Sequence, residues 1–230
     1  RRRDKFMSIE MTDFSAILGF LTALRKNNNR EWFEKNKPKY LALKASYEDF
    51  LESLHKRIIS FDEALTAMNP RKAGFRIYRD VRFSKDKSPY KPYMGAGFSP
   101  KGKLVQEPGY YIHIEPRKSF IAGGLYQPDA ANLSKWRQEI DYNGEKLKAI
   151  LKERAFAKEF GKPDDFDKGK LPPKGYAKEH PDIELLKHKS FIFSRPFSDA
   201  EVKSKDFEKK AAALCKKIKP LVDFIRVALA

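Results

Sequence analysis

The chain has 230 residues, of which 41% are hydrophobic and 13% aromatic, enough apolar surface for one sizeable core and too much for a chain disordered throughout. Its formal net charge is +17; residues 1–6 carry four positive charges and one negative, so +14 remains without them and the basic bias belongs to the folded part. The single cysteine, Cys215, excludes an internal disulfide framework, and no stretch approaches the roughly 18 uninterrupted apolar residues of a membrane helix.

Residues 1–10 read as a disordered or vector-derived tail, and residues 11–230 as a single α+β domain; Met7 and Met11 both suit a native start. No apolar run follows the charges of Arg1 to Lys5, so neither a signal peptide nor a membrane association is expected, and a reducing, cytoplasmic setting fits the cysteine usage. In chain order, Phe14, Ile17, Leu18, Leu21 and Leu24 fall at helical spacing and end at Asn27, Asn28 and Asn29. A short helix carrying Trp32 and Phe33 follows. Pro38 then suits the first turn of a long helix with Leu41, Leu43, Tyr47, Phe50, Leu51, Leu54 and Ile58 on its apolar stripe. Ser60 and Glu63 have the spacing of a capping box.

From Gly74 the pattern changes to short runs bounded by Gly and Pro, which predicts strands at Phe75 to Phe83, Tyr93 to Phe98, Tyr110 to Glu115 and Ser119 to Tyr126. Helical spacing returns between Pro128 and Phe160. Gly161 to Pro181 is a long connection rich in Pro, Gly and charge, which suits either a surface crossing or a lid carrying Lys174, Tyr176 and His180. A short helix at Ile183 to Leu186, a strand at Phe191 to Ser194 and a helical region from Ser198, kinked or restarted at Pro220, complete the chain. The fold class expected is α+β, a central, mostly antiparallel sheet flanked by N-terminal and C-terminal helices.

The densest polar cluster runs from Arg76 to Lys91. Read as a strand, its first half places Phe75, Ile77, Val81 and Phe83 on one face and Arg76, Tyr78, Asp80 and Arg82 on the other. Arg79 then projects from the apolar side and needs a carboxylate, for which Glu107 or Glu115 is the expected partner. Two arginines around an aspartate form a fork suited to phosphate or carboxylate. Ser84, Lys85, Lys87, Tyr90 and Lys91 extend the ligand-binding set of Arg76, Arg79 and Arg82. The same residues equally suit internal ion pairs and a solvated basic turn.

The run Arg-x-x-Arg-Asp-x-Arg-Phe, followed by Asp86-Lys87 and Tyr90, resembles the signature of the bacterial and fungal family catalogued as domain of unknown function (DUF) 2461. The resemblance extends to Phe20-Leu21, Asn27 to Phe33 and Asn36 upstream. Downstream it takes in Tyr110 to Pro116, Gly123-Gly124, Pro128, Pro173 to Tyr176 and His180-Pro181. It implies family membership and gives no residue a chemical role.

Tyr111, His113 and Glu115 share one face of their strand, a row able to move a proton, so Asp80 and His113 are the candidate catalytic residues. Gly95 to Gly97, with Gly123 and Gly124, leave room for a ligand or for a closely packed helix. The four histidines and the lone cysteine have no metal-ligand spacing, so neither metal nor cofactor is expected. Ser84 and Lys87 match Ser-x-x-Lys without the companion motifs of that chemistry, and Cys215 reads as packing. Three functions stay open. The first is an anionic, phosphate- or carboxylate-bearing ligand in an arginine-lined cleft, with or without catalysis. The second is a nucleic-acid partner met by the basic loop and Lys203, Lys205, Lys209, Lys210, Lys216 and Lys217. The third is a protein-interaction role using an apolar patch at Phe191, Phe193 and Phe197.

Overall fold

The computed structural model describes residues 12–82, 85–102 and 106–230, so the expected tail lies outside the described residues, as do Phe83 and Ser84. Among the described residues seven α-helices accompany four strands: α1 (Phe14–Lys26), α2 (Arg30–Ile58), β1 (Met94–Phe98), β2 (Gly109–Ile114), β3 (Ser119–Leu125), α3 (Ala130–Lys152), α4 (Arg154–Phe160), α5 (Ile183–Leu186), β4 (Phe191–Phe197), α6 (Asp199–Val202) and α7 (Phe207–Leu229). The strands form one antiparallel sheet in the order β1-β2-β3-β4, and helices flank it, so the α+β expectation holds. Among the described residues no helix is long and apolar enough to cross a membrane.

The helices start where side chains take up their free N–H groups. Asp13 accepts from Ala16 N, Asn29 from Trp32 N and Asp129 from Asn132 N. Contrary to the sequence expectation, α2 is one helix with Pro38 inside it, and α7 runs unbroken through Pro220. Both prolines sit at exposed positions, where water can solvate the carbonyl left without its donor. The capping box forms at Ser198 and Glu201, whereas Ser60 Oγ donates to Arg57 O and only a 3₁₀ turn, Glu63–Leu65, follows.

Strand alternation decides which side of the sheet the helices take. Tyr110, Ile112 and Ile114 are fully buried against the helical layer. Gly123, the partner of Tyr110, meets Ile218 of α7: a Cβ there would stand 2.9 Å from the Ile218 side chain. The glycine therefore serves close helix packing. Gly124, at φ +130°, leaves no space either, since a Cβ would lie 2.0 Å from the carbonyl oxygen of Phe191. On the same side of β4, Phe191 meets Trp136 of α3, Phe193 meets Phe156 of α4 and Phe197 meets Phe207 of α7. These three phenylalanines are core residues, which removes the exposed patch that the interaction reading required.

One buried polar knot ties sheet to helices. Asp62, just after α2 and 1% exposed, accepts from the Tyr110 hydroxyl at 2.7 Å and from Arg226 Nη1 of α7 at 2.8 Å. Burial alone would raise the Asp62 pKa, but the hydrogen bonds from Arg226 and Tyr110 outweigh it and hold the carboxyl below its ordinary value. That carboxylate's contribution is complete above the unfolded value of about 3.9 and is lost as pH falls through the lower folded one. Asp62→Asn is therefore expected to cost about 3 kcal/mol in urea unfolding at pH 7, because Arg226 keeps a largely buried charge that only Asp223, at 3.3 Å, then meets. The variant should also lose part of the wild-type decline in stability below about pH 4.

Candidate functional site

Phe75 to Arg82, the described part of the segment expected as a strand, is a loop closed at its base. Tyr78 bridges Tyr90, Arg79 N donates to Pro89 O at 2.9 Å and Lys91 N to Ile77 O at 2.8 Å. Its charged residues largely serve the loop itself. Asp80 accepts from the backbone N, Nε and Nη2 of Arg82, and these bonds lower its pKa to about 2. A carboxylate so held stays ionised at neutral pH and is a poor proton acceptor. Arg79 pairs with Asp86, not with Glu107 or Glu115, because Asp86 lies across the same turn; Glu107 takes Lys101 and Glu115 takes Arg25. Lys87 Nζ caps Val81 O at 2.9 Å. Tyr90 is 3% exposed and stacks on Phe33 with centroids 4.0 Å apart, which makes it an anchor. Lys85 is exposed, and Lys91 stands 6.0 Å from the Tyr93 ring.

Of the proposed cationic set, Arg76 lines the pocket beside α2. A pocket of about 880 Å³ opens between α2 and the 71–76 segment. Tyr40, Tyr47, Phe75 and Met94 supply its apolar lining, and Lys44, Arg71, Lys72, Arg76 and Lys101 bring positive charge. Arg82 is not among the lining residues, so the two arginines do not share this hollow. Lys44 is paired with Glu48, Arg71 with Asp49 and Glu52, and Lys101 with Glu107. Lys72 and Arg76 have no ion pair among the described residues; Arg76 acts on Asp80 only through space, helping to lower its pKa. Tyr47 is 4% exposed and its hydroxyl is buried without a hydrogen-bond partner. Burial pushes the Tyr47 phenol well up and the Tyr40 phenol to about 12, so both are neutral hydrogen-bond donors at physiological pH.

A second polar group lies on the opposite face of the sheet. Tyr111 Oη is 2.9 Å from His113 Nδ1, and His113 Nε2 is 2.8 Å from Glu115 Oε2, whose other oxygen accepts from Arg25 Nη2 at 2.7 Å. An ionised carboxylate only accepts, so His113 carries its proton on Nε2 and takes the Tyr111 hydroxyl proton's bond at Nδ1. The imidazole lies between the rings of Tyr93 (4.4 Å) and Phe120 (4.7 Å). Burial lowers the His113 pKa, and the bond and charge of Glu115 only partly offset it.

The alternation of β2 made the Tyr111, His113 and Glu115 row readable in the sequence. Arg25, Tyr93 and the Tyr47 hydroxyl were not, because a residue from α1 and a tyrosine on an apolar stripe carry no local mark of what they meet. Lys174, Tyr176 and His180 do not line the pocket; His180 bonds Asp141 of α3, and the 161–181 connection is pinned along β4 by Asp164 N to Ile192 O at 2.8 Å. Cys215 is 1% exposed, and burial raises its thiol pKa, in keeping with packing. Among the described residues no His, Cys, Asp and Glu cluster has metal-binding geometry.

The family model described as conserved hypothetical protein (DUF2461) matches residues 16–224. The chain belongs to that family. No curated protein and no solved structure matches it. The matched range contains the residues of both polar groups, the pocket beside α2 and the row on β2.

His113 should remain neutral to lower pH than an ordinary histidine. Following its imidazole resonances by NMR is expected to give a midpoint below the usual value of about 6.5. Because neutral His113 is the form the fold prefers, its share of the stability is present above that value and is lost as pH falls toward the folded midpoint.

Proposed function

We propose that this protein binds a small ligand with a phosphate or carboxylate group on an apolar or aromatic body, held in the pocket between α2 and the 71–76 segment. The observation that carries the reading is the pairing pattern. Every other cation of the lining is neutralised by a neighbouring carboxylate, while Lys72 and Arg76 are left to meet an external anion. Arg76 supplies a planar fork for two oxygens, and Lys72 adds a point charge beside it. The unpartnered Tyr47 hydroxyl adds a neutral donor, and the Tyr40, Phe75 and Met94 surfaces accept the ligand's apolar part. The volume falls within the range of about 300–1,000 Å³ usual for small-molecule sites.

The rival reading, a nucleic-acid partner, draws on Lys203, Lys205, Lys209 and Lys216, which are all exposed, whereas Lys210 and Lys217 are engaged by Asp206 and Glu159. Calorimetric titration with phenyl phosphate and with inorganic phosphate separates the two. Phenyl phosphate is expected to bind more tightly than phosphate, and Arg76→Ala to weaken it about tenfold, equivalent to roughly 1.4 kcal/mol. Arg82→Ala should leave it unchanged. An equal response of wild type and Arg76→Ala, or no binding, would count against the pocket. Oligonucleotide binding that falls steeply with salt and depends on many lysines would favour the rival.

A further inference from the structure

Resting on the anion-binding reading of the pocket beside α2, we propose that this pocket takes its ligand body first, and that the body carries a hydrogen-bond acceptor, a carbonyl or a ring nitrogen, for the Tyr47 hydroxyl. The ligand class narrows accordingly, from an anion on any apolar body to one with a polar atom set away from the anion. The lining itself is polarised. Lys72 and Arg76 are exposed, whereas Tyr40, Tyr47 and Met94 are buried. An anion held by the two cations therefore stays near water, and the rest of the molecule is directed at the aromatic wall.

That wall has an unmet demand. The Tyr47 hydroxyl is buried without a hydrogen-bond partner among the described residues. Arg79, Trp136, His188 and Arg226 also hold such atoms, but none of the four lines this pocket. Buried polar groups are as a rule paired, and leaving one unpaired costs more than a made bond returns, so the exception at a pocket wall points to a ligand. Burial keeps the phenol protonated, so it has an O–H to donate. The ring is also held in place. It stacks on Phe50 of the core with centroids 6.0 Å apart, and it shares one face of α2 with Tyr40, seven residues and two turns earlier. A hydrocarbon body leaves the hydroxyl as it is, whereas a body with an acceptor satisfies it. The site therefore favours the acceptor-bearing ligand over an isostere that lacks the acceptor.

The test is calorimetric titration with acetylphenyl phosphate and isopropylphenyl phosphate, which are near-equal in shape and of which only the first has an acceptor on its body. Each is used as its 3- and 4-substituted isomer, so that the reach from anion to acceptor is sampled. For the better-placed isomer, the wild type is expected to bind the acetyl ester about tenfold more tightly, although its ring is the less hydrophobic of the two. In Tyr47→Phe that preference should vanish, with the isopropyl ester bound as before. Arg76→Ala should weaken both esters and leave the preference in place. The urea midpoint of Tyr47→Phe should not fall, because the hydroxyl removed has no bond within the protein to lose.

The proposal is overturned if no isomer pair shows the preference in the wild type, a comparison that needs no variant, or if the preference survives in Tyr47→Phe. It is equally overturned if Tyr47→Phe lowers the midpoint and weakens both esters alike, which would make Tyr47 a structural residue. In any of these cases, esters that still weaken in Arg76→Ala leave the anion reading standing. Esters that bind independently of Arg76, or not at all, overturn both.

Discussion

The alternation of side chains along β2 is the constraint on which the structure turns. Tyr110, Ile112 and Ile114 go to the helices, and Tyr111, His113 and Glu115 go the other way. A slip of one residue would set an imidazole and a carboxylate against the apolar helical layer and turn two isoleucines to the opposite face. The register is pinned from the core side by the Tyr110–Asp62–Arg226 knot, whose members come from a strand, the turn after α2 and the last helix. A buried aspartate is tolerated only at the place where both donors reach it, so the knot specifies one arrangement of sheet and helices rather than adding bulk stability. The polar row on the far face is ordered as a consequence.

The same economy governs the described residues of the 77–82 and 85–91 stretches. Their arginines and aspartates lie close together in the sequence and satisfy one another: Arg79 with Asp86, Arg82 with Asp80. Exposed pairs of this kind add little stability, but they fix loop shape and remove charge from the surface field. The field is therefore sharper than a net charge of +17 suggests, because around the pocket it falls to Lys72 and Arg76. Composition counts charges, whereas only the fold shows which of them have been spent.

What was readable in the sequence had a period. The stripe of Phe14 to Leu24 gives α1, and the alternating runs give β1, β2 and β3 to within a residue or so of their ends. The failures each have a physical cause. Pro38 and Pro220 look like breakers, yet at an exposed position a helix loses only one bond to each. Residues 75–82 alternate like a strand, but pairing at the base of the loop closes it before a ladder can form. Phe191, Phe193 and Phe197 alternate as a half-exposed strand would, and the helices that cover them come from α3, α4 and α7, far off in the sequence. At the candidate sites, residue types were readable and partners were not. The Tyr111, His113 and Glu115 row follows from local geometry, whereas the arginine that completes it arrives from ninety residues away.

The pocket beside α2 and the polar row on β2 meet in one short stretch of backbone. Residues 73–75 run beside β1 as a partial fifth strand, with Phe75 N donating to Gly95 O at 2.8 Å and Gly97 N to Ala73 O at 3.2 Å. The stretch inherits the alternation of the sheet it extends. Gly74 packs toward Leu51 of α2, Phe75 sets its ring edge-on to Tyr111 at 6.1 Å, and Arg76 faces the pocket beside α2. Gly95 is the hinge of this geometry. Its carbonyl holds Phe75 in place, and its missing side chain leaves room for the Tyr111 hydroxyl. A side chain at that position would disturb the phenol directly and, through the edge hydrogen bond, the segment that aims Arg76.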